Sequence, residues 1–239
     1  MNITLIGYGR MGKEIEKTAI ERGHTINLII EEHNSNELNT KNTTNTDAVI
    51  EFTQPNSVIN NISKCFELNL PFITGTTGWY NQIDEIRKKC EDQKQAFIYA
   101  SNFSIGVNIF FKLNEYIASL INTNNSYIPS IDEIHHTAKI DKPSGTAITL
   151  ANTIIDNYPN INSWTLDEDS ETKLKINSHR EEGIVGTHTV CFESDIDKIS
   201  ITHEAYNRKG FALGAVLAAE WLYNKKGFFA FNQIFDKLI

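Results

Sequence analysis

Apolar residues in the first hundred positions come in short runs separated by amphipathic stretches. Ile3–Ile6, Ile26–Ile30, Ala48–Phe52, Pro71–Thr74 and Ala96–Ala100 each read as a strand. Between the first two, Met11 to Ile20 reads as a helix, with Met11, Ile15 and Ala19 on one stripe and Gly23 near its end. Pro55 and Ser57 open a second helix running to about Leu68, and Ile83–Cys90 lies in a third. Residues 33–46 are almost wholly polar and predict a loop. Strands alternating with helices in this way predict a parallel sheet covered on both faces.

The pattern then changes. Ile105–Leu120 predicts one long helix, residues 122–126 a polar turn, and Ile128 to His136 a strand that alternates apolar and polar. A helix is expected from Gly145 to about Ile155. Three strands follow, around Lys173–Asn177, Ile184–Glu193 and Lys198–Ala205, with hairpin-like connections, and a last helix spans Phe211 to Tyr223. The fold class predicted is α/β: a Rossmann-type, doubly wound parallel sheet plus an inserted α+β domain with a mixed or antiparallel sheet. Residues 1–104 and 208–239 make the dinucleotide-binding domain, and 105–207 the domain for substrate binding and oligomerisation.

Composition narrows the function. Thirty acids against 22 bases give a net charge of −8 with no long basic block, which argues against a nucleic-acid surface. It also requires any anionic substrate to be held by a local cationic pocket. No apolar run approaches the ~20 residues of a membrane span, so no membrane partner is expected. The opening Met-Asn-Ile-Thr-Leu-Ile-Gly is already a strand pattern and not a secretory leader. Cys65, Cys90 and Cys191 are odd in number and lack the spacing of a zinc or redox motif, so they read as reduced thiols of a cytoplasmic protein.

A glycine turn, Gly7-Tyr8-Gly9-Arg10-Met11-Gly12, follows the first strand and opens the first helix. Gly7 permits the tight turn, Gly9 lets the backbone approach a pyrophosphate, and Gly12 lets helix and strand pack closely. Free N–H groups of the helix start then face the phosphates. Glu31, 19 residues past Gly12, ends the second strand, where an acid accepts hydrogen bonds from adenosine ribose hydroxyls. Glu32 stands where an arginine is needed to pair a 2′-phosphate, so NADH is expected to be preferred over NADPH. Two further loops, Gly75-Thr76-Thr77-Gly78 and Ala100-Ser101-Asn102-Phe103, follow the fourth and fifth strands, and ligands bind parallel sheets at such carboxyl ends.

The densest chemistry lies at 133–147, Glu-Ile-His-His-Thr-Ala-Lys-Ile-Asp-Lys-Pro-Ser-Gly-Thr-Ala. On an alternating strand, Ile131, Glu133 and His135 point one way and Asp132, Ile134 and His136 the other, so the two histidines cannot easily share a role. Histidine donates a proton near neutral pH, and a lysine such as Lys139 supplies fixed charge for a developing anion. Ser144 is a natural N-cap, and the N–H groups of Gly145 and Thr146 suit a carboxylate. Adjacent histidines without a clear third ligand argue against zinc, so no metal is expected. A nucleotide site combined with a proton-donating, anion-binding site suggests reduction of a small anionic substrate.

The segment resembles the signature of the dihydrodipicolinate reductase family, E-x-H-H-x-x-K-x-D-x-P-S-G-T-A. Glu133, His135, His136, Lys139, Asp141, Pro143, Ser144, Gly145, Thr146 and Ala147 stand in register with it. Gly9-Arg10-Met11-Gly12, Ile50-Glu51-Phe52-Thr53, Gly75 to Gly78, Asn102 to Asn108, Gly186-Thr187-His188, His203, Ala205, Arg208 and Phe211 to Ala215 extend the resemblance over nearly the whole chain. The resemblance implies NAD(P)H-dependent reduction of 4-hydroxy-tetrahydrodipicolinate to tetrahydrodipicolinate, in lysine and diaminopimelate biosynthesis, by a homotetramer. It implies that His135 is the proton donor or acceptor and Lys139 the second catalytic proton donor. His136 would contact substrate, and Gly145 and Thr146 would bind a substrate carboxylate. Gly7 to Met11, Glu31, Gly75 to Thr77 and Ala100 to Phe103 would line the cofactor. The chain departs from the family pattern at Glu32, where a basic residue is common, in a tighter glycine turn, and at Lys142, where alanine is usual. The alternatives are a reductase of another small anionic imine or aldehyde, for which the Lys139 and Ser144–Thr146 cluster still demands an anion, and a non-catalytic NAD-sensing regulator, which has no need of His135 and Lys139.

Overall fold

The structure is a computed structural model that describes residues 1–122, 126–167 and 170–238. The chain divides into two compact units, Met1–Ile105 with Arg208–Ile239, and Gly106–Asn207. In chain order the elements are β1 (Asn2–Ile6), α1 (Arg10–Glu21), β2 (Thr25–Ile30), β3 (Ala48–Glu51), α2 (Val58–Glu67), β4 (Phe72–Thr74), α3 (Ile83–Asp92), β5 (Ala96–Tyr99), α4 (Ile105–Ile121), β6 (Ile128–His135), α5 (Gly145–Asn157), β7 (Ser163–Thr165), β8 (Lys173–Arg180), β9 (Gly186–Glu193), β10 (Lys198–Ala205), α6 (Lys209–Leu222), β11 (Gly227–Ala230) and α7 (Phe231–Ile234). The polar turn predicted at 122–126 lies, for 123–125, outside the described residues.

The first unit is a six-stranded sheet in the order β11-β5-β4-β3-β1-β2, parallel throughout. Because side chains alternate along a strand, neighbouring residues feed opposite layers. Ile50, Ile73 and Ile98 pack with Ile15 and Ala19 of α1 and with Ala212, Ala215 and Ala219 of α6. Val49, Phe72 and Phe97 pack with Val58, Ile62 and Cys65 of α2 and Ile86 and Cys90 of α3. Burial on both faces explains why these strands read as unbroken apolar runs.

Strand β11 was not anticipated. It has only four residues after a lysine pair, but it aligns Phe228 with Phe97, whose rings stack with centroids 5.0 Å apart. The segment read as a loop is also partly ordered. Residues Glu32–Glu37 form a 3₁₀ helix, and side chains hold the turns after it: Asn42 donates to Asn39 Oδ1 (3.1 Å) and to the Glu37 carbonyl (3.0 Å). Asn and Thr satisfy the main chain locally, a structure that hydrophobic periodicity cannot report.

The second unit is a five-stranded sheet in the order β10-β9-β6-β8-β7. It is evenly mixed: β10–β9 and β9–β6 are antiparallel, β6–β8 and β8–β7 parallel. The expectation of a hairpin between the strands now seen as β8 and β9 is corrected. Each pairs with β6 instead, on opposite sides. Helix α5, lying between β6 and β8, makes the crossover that a parallel pair needs. Only β9–β10 is a hairpin among these strands. Helices α4 and α5 place Phe110, Ala118, Leu150, Ala151 and Ile154 against Ile131, Ile176, Val190 and Phe192 of the sheet.

Candidate active site

In the first unit the chain turns at Gly7, whose φ is +90°. A Cβ there would stand 2.1 Å from the Phe52 carbonyl oxygen, and one on Gly12 would stand 2.3 Å from the Gly7 carbonyl oxygen. Gly9, the N-cap of α1, is different: a Cβ would meet nothing within 4 Å. No side chain caps α1, and its first turn has no acidic residue. N–H groups without a side-chain cap, a first turn without an acid and open space over Gly9 together fit the pyrophosphate of a dinucleotide. Arg10 is exposed and Met11 half-buried at this helix start. The Tyr8 hydroxyl donates to Glu16, and that bond holds the phenol above its ordinary value, with a further contribution from Glu31. The Gly7 N–H donates to the Ile30 carbonyl (2.8 Å), so Glu31, the next residue, stands beside the glycine turn. Glu31 and Glu32 are both exposed.

The two other loops divide their residues between surface and interior. Thr77 and Ser101 are exposed, Asn102 is half-buried, and Ala100 is buried. A Cβ on Gly75 would overlap the Phe52 ring. Phe103 is core, packed on Phe231 with ring centroids 4.8 Å apart. Thr76 is also turned inward: its hydroxyl donates to Glu51 Oε1 (3.0 Å) and accepts from the Thr53 N–H (2.8 Å). The fully buried Glu51 was overlooked as an organising residue. It also accepts from Thr74 Oγ1 (2.5 Å) and from the Thr53 hydroxyl, and so ties the loop after β3 to the loop after β4. Burial raises its pKa, and the threonine bonds only partly offset that.

In the second unit, β6 turns Glu133 and His135 into the interior, while His136, just past the end of the strand, is half-buried. Glu133 is wholly buried. It accepts the Ser144 N–H with both oxygens (3.0 and 3.2 Å) and the Ser178 hydroxyl (2.5 Å), with Arg180 Nη1 at 3.7 Å. Burial works against its charge, but bonds from His188, Ser144 and Ser178 outweigh it and hold the carboxyl well below the usual range. His135 Nδ1 lies 3.6 Å from Glu133 Oε2, and its ring meets that of His188 edge-on at 4.9 Å. Its Nε2 sits over Gly186, where a Cβ would come within 3.1 Å. Ser144 is the N-cap of α5, accepting the Ala147 N–H (3.1 Å). The space around the Gly145 Cα is open, and Thr146 beside it is half-buried. Lys139 Nζ pairs with Asp141 Oδ2 at 2.8 Å.

His188, Arg180 and Ser178 were not selected as site residues from the sequence. The sheet register decides their place: Glu133 is opposite both Ser178 and His188, and His135 is opposite Arg180. Glu133, His135 and His188 have their ligand atoms within 4.8 Å of one another, the spacing of a metal site. However, serine donors occupy the carboxylate and a guanidinium stands beside it, so the chemistry of the trio is that of an organised imidazole. Of the adjacent pair, His135 is buried and His136 half-buried.

Burial, then the neighbouring His188, with Lys139 and Arg180 adding, push His135 down to about 4 against the upward pull of Glu133. In the unfolded chain the same imidazole titrates near 6.5. The unfolded state therefore takes up this proton first as pH falls. The stability is fully present above about pH 6.5 and is lost progressively down to about pH 4. Accordingly, His135→Gln is expected to flatten the fall of Tm between pH 6.5 and 4 in differential scanning calorimetry. Superimposable wild-type and variant curves would show that folding does not depress this imidazole.

Two family models together cover nearly the whole chain. Residues 1–103 match "Dihydrodipicolinate reductase, N-terminus", and 106–235 match "Dihydrodipicolinate reductase, C-terminus". A 4-hydroxy-tetrahydrodipicolinate reductase from Christiangramia forsetii is 46% identical over 242 residues, covering 100% of this chain and 99% of the relative. One from Thermosipho africanus is 34% identical, covering 98% and 97%. The fold is that of a dipicolinate-bound dihydrodipicolinate reductase from Paenisporosarcina sp. TG-14, with a TM-score of 0.74 at 21% identity, covering 98% and 99% of the two chains.

Proposed function

The chain belongs to the dihydrodipicolinate reductase family, and we propose how its residues divide the work of that enzyme. It is an NAD(P)H-dependent oxidoreductase that converts 4-hydroxy-tetrahydrodipicolinate to tetrahydrodipicolinate, with release of NAD(P)+ and water, in lysine and diaminopimelate biosynthesis. The observation that carries the assignment of roles is the gathering of His135, Lys139, Arg180 and the open N-terminus of α5 in one unit of an otherwise acidic protein.

The nicotinamide supplies a hydride to the substrate ring. Gly7, Tyr8, Gly9, Arg10 and Met11 hold the pyrophosphate at the start of α1, and Glu31 accepts from the adenosine ribose. Main-chain groups and small side chains of Gly75 to Thr77 and Ala100 to Phe103 bound the nicotinamide end. The substrate is a small dicarboxylate. One carboxylate takes the N–H groups of Gly145 and Thr146 together with Ser144, and His136 contacts the substrate. The 4-hydroxyl leaves with a ring hydrogen as water; His135 then transfers one proton to the carbanion-like centre left by hydride addition, and Lys139 is the second proton donor, released from Asp141. Neutral in the free protein, His135 is set to gain its proton when the substrate brings negative charge beside it. No nucleic acid or membrane takes part. No helix among the described residues is long and apolar enough to cross a membrane. The enzyme acts in the cytoplasm as a homotetramer joined through the second sheet, whose outer strand β10 leaves an unpaired edge.

A coupled assay tests this reading. The preceding synthase generates substrate from pyruvate and aspartate semialdehyde, and oxidation of NADH and NADPH is followed at equal concentration. Oxidation that requires the synthase product supports it. Silence with both cofactors, from protein that binds NADH, rejects it. NADH is the preferred cofactor, because exposed Glu31 and Glu32 repel a 2′-phosphate. Glu32→Arg should raise the NADPH to NADH ratio of kcat/KM roughly tenfold, since a charged hydrogen bond is worth about 1.5–3 kcal/mol. An unchanged ratio places residue 32 away from the ribose.

A further inference from the structure

We propose that half-buried Arg180 and buried Ser178 and Glu133 form a strut that sets the spacing between Lys139 and the carboxylate cradle at the start of α5. The proposal deepens the reductase reading and rests on it. Lys139 and Ser144 lie at the two ends of a loop that, left to itself, has few internal main-chain bonds to fix its span. Arg180 grips the near end: Nε donates to the Lys139 carbonyl (3.2 Å) and Nη2 to the Asp141 carbonyl (2.5 Å). Its Nη1 donates to Ser178 Oγ (3.0 Å), and the Ser178 hydroxyl in turn donates to Glu133 Oε1 (2.5 Å). Glu133 then takes the Ser144 N–H with both oxygens at the far end. The chain of bonds is directional, because a guanidinium only donates and a carboxylate only accepts. A hydroxyl between them can face one way alone.

The parts of the strut are not interchangeable. Lysine at 180 keeps the charge but cannot reach two carbonyls and a hydroxyl together, since the fork of donors is peculiar to arginine. Glutamine at 133 must place an amide where Ser144 and Ser178 both donate. The strut also brackets His135. The charged and titratable groups that face this imidazole are Glu133 on its own strand, Arg180 on β8, His188 on β9 and Lys139 in the loop, and Asp141 pairs with that lysine. His203 on β10 faces His188.

The test compares Ser178→Ala, Arg180→Lys, Glu133→Gln and Arg180→Met in the full-length enzyme, with substrate from the synthase and NADH. Ser178→Ala removes one oxygen and preserves the fold, so it stands even where a charge variant unfolds. Expected is a fall in substrate kcat/KM of roughly tenfold for Ser178→Ala and Arg180→Lys, and roughly a hundredfold for Glu133→Gln, with the NADH Kd unchanged. In the kcat profile, which reports the substrate-bound enzyme, the limb on which His135 gives up its proton should move down in Glu133→Gln and up in Arg180→Met, and should hold in Arg180→Lys and Ser178→Ala. Wild-type kcat/KM in both Ser178→Ala and Arg180→Lys overturns the strut. Equal losses with no opposed pH displacement reduce it to packing and overturn it as well. A silent wild-type enzyme would instead remove the reductase reading on which it rests.

Discussion

Replacing His135 by glutamine is expected to lower kcat by roughly 10²–10⁴-fold, the usual worth of general acid–base catalysis, and to leave NADH binding intact. Glutamine reaches about as far as histidine and forms hydrogen bonds, but it cannot exchange a proton at neutral pH. His135 is 8% exposed, faces Glu133 through Nδ1 and presents Nε2 over Gly186, so its orientation is set by neighbours that the substitution leaves in place. The residue belongs to the Gly106–Asn207 unit, whereas the residues assigned to NADH belong to the other. Single-turnover stopped-flow measures the chemical step, and a fluorescence titration with NADH measures binding. A variant within about fivefold of wild type in the chemical step removes His135 from proton transfer. A variant that loses NADH affinity as well has a defect larger than the loss of one proton donor.

Gly214→Ala is expected to have the largest effect on stability. A methyl group at this position in α6 would lie 1.8 Å from the Phe103 carbonyl oxygen, which is main chain and cannot rotate aside. The helix cannot withdraw either, because Ala212, Ala215, Ala218 and Ala219 are fully buried against the sheet. Overpacking costs about 1–3 kcal/mol, occasionally more, and a backbone clash belongs at the upper end. Alanine recovers up to about 1 kcal/mol of helix propensity over glycine, so a net loss of about 2 kcal/mol is expected. For a chain of this size that is a fall in Tm of roughly 4–8 °C. Relief must come from the loop Ala100–Phe103, so NADH affinity should weaken as well, by roughly tenfold. Calorimetry with and without NADH checks both parts. Wild-type Tm and affinity would mean that helix and loop are not in the contact described.

Much of this protein could be read from its residues in order. The five apolar runs are β1 to β5, and the alternation from Ile128 runs through β6 to the buried His135. Gly7, Gly9 and Gly12 have the turn, the open approach and the tight packing that their spacing implies. Each of these is a local property: a period of two or 3.6 residues, or a backbone angle open to glycine, is written in consecutive positions.

What local sequence could not determine depends on partners far along the chain. Strand β6 could have paired with any of several neighbours. Only its pairing with β8 and β9 puts Ser178 and His188 opposite Glu133 and Arg180 opposite His135. For the same reason β8 and β9, adjacent in sequence, form no hairpin: each pairs with β6. Thr76, read as a cofactor contact, spends its hydroxyl on Glu51, 25 positions away. Strand β11 exists because β5 offers Phe97 and an unpaired edge. Register, the direction of a buried hydroxyl and the neighbour of a helix glycine are set by the packing of the whole unit. Tertiary structure alone therefore decided how His135 is held, while the sequence determined that it is there.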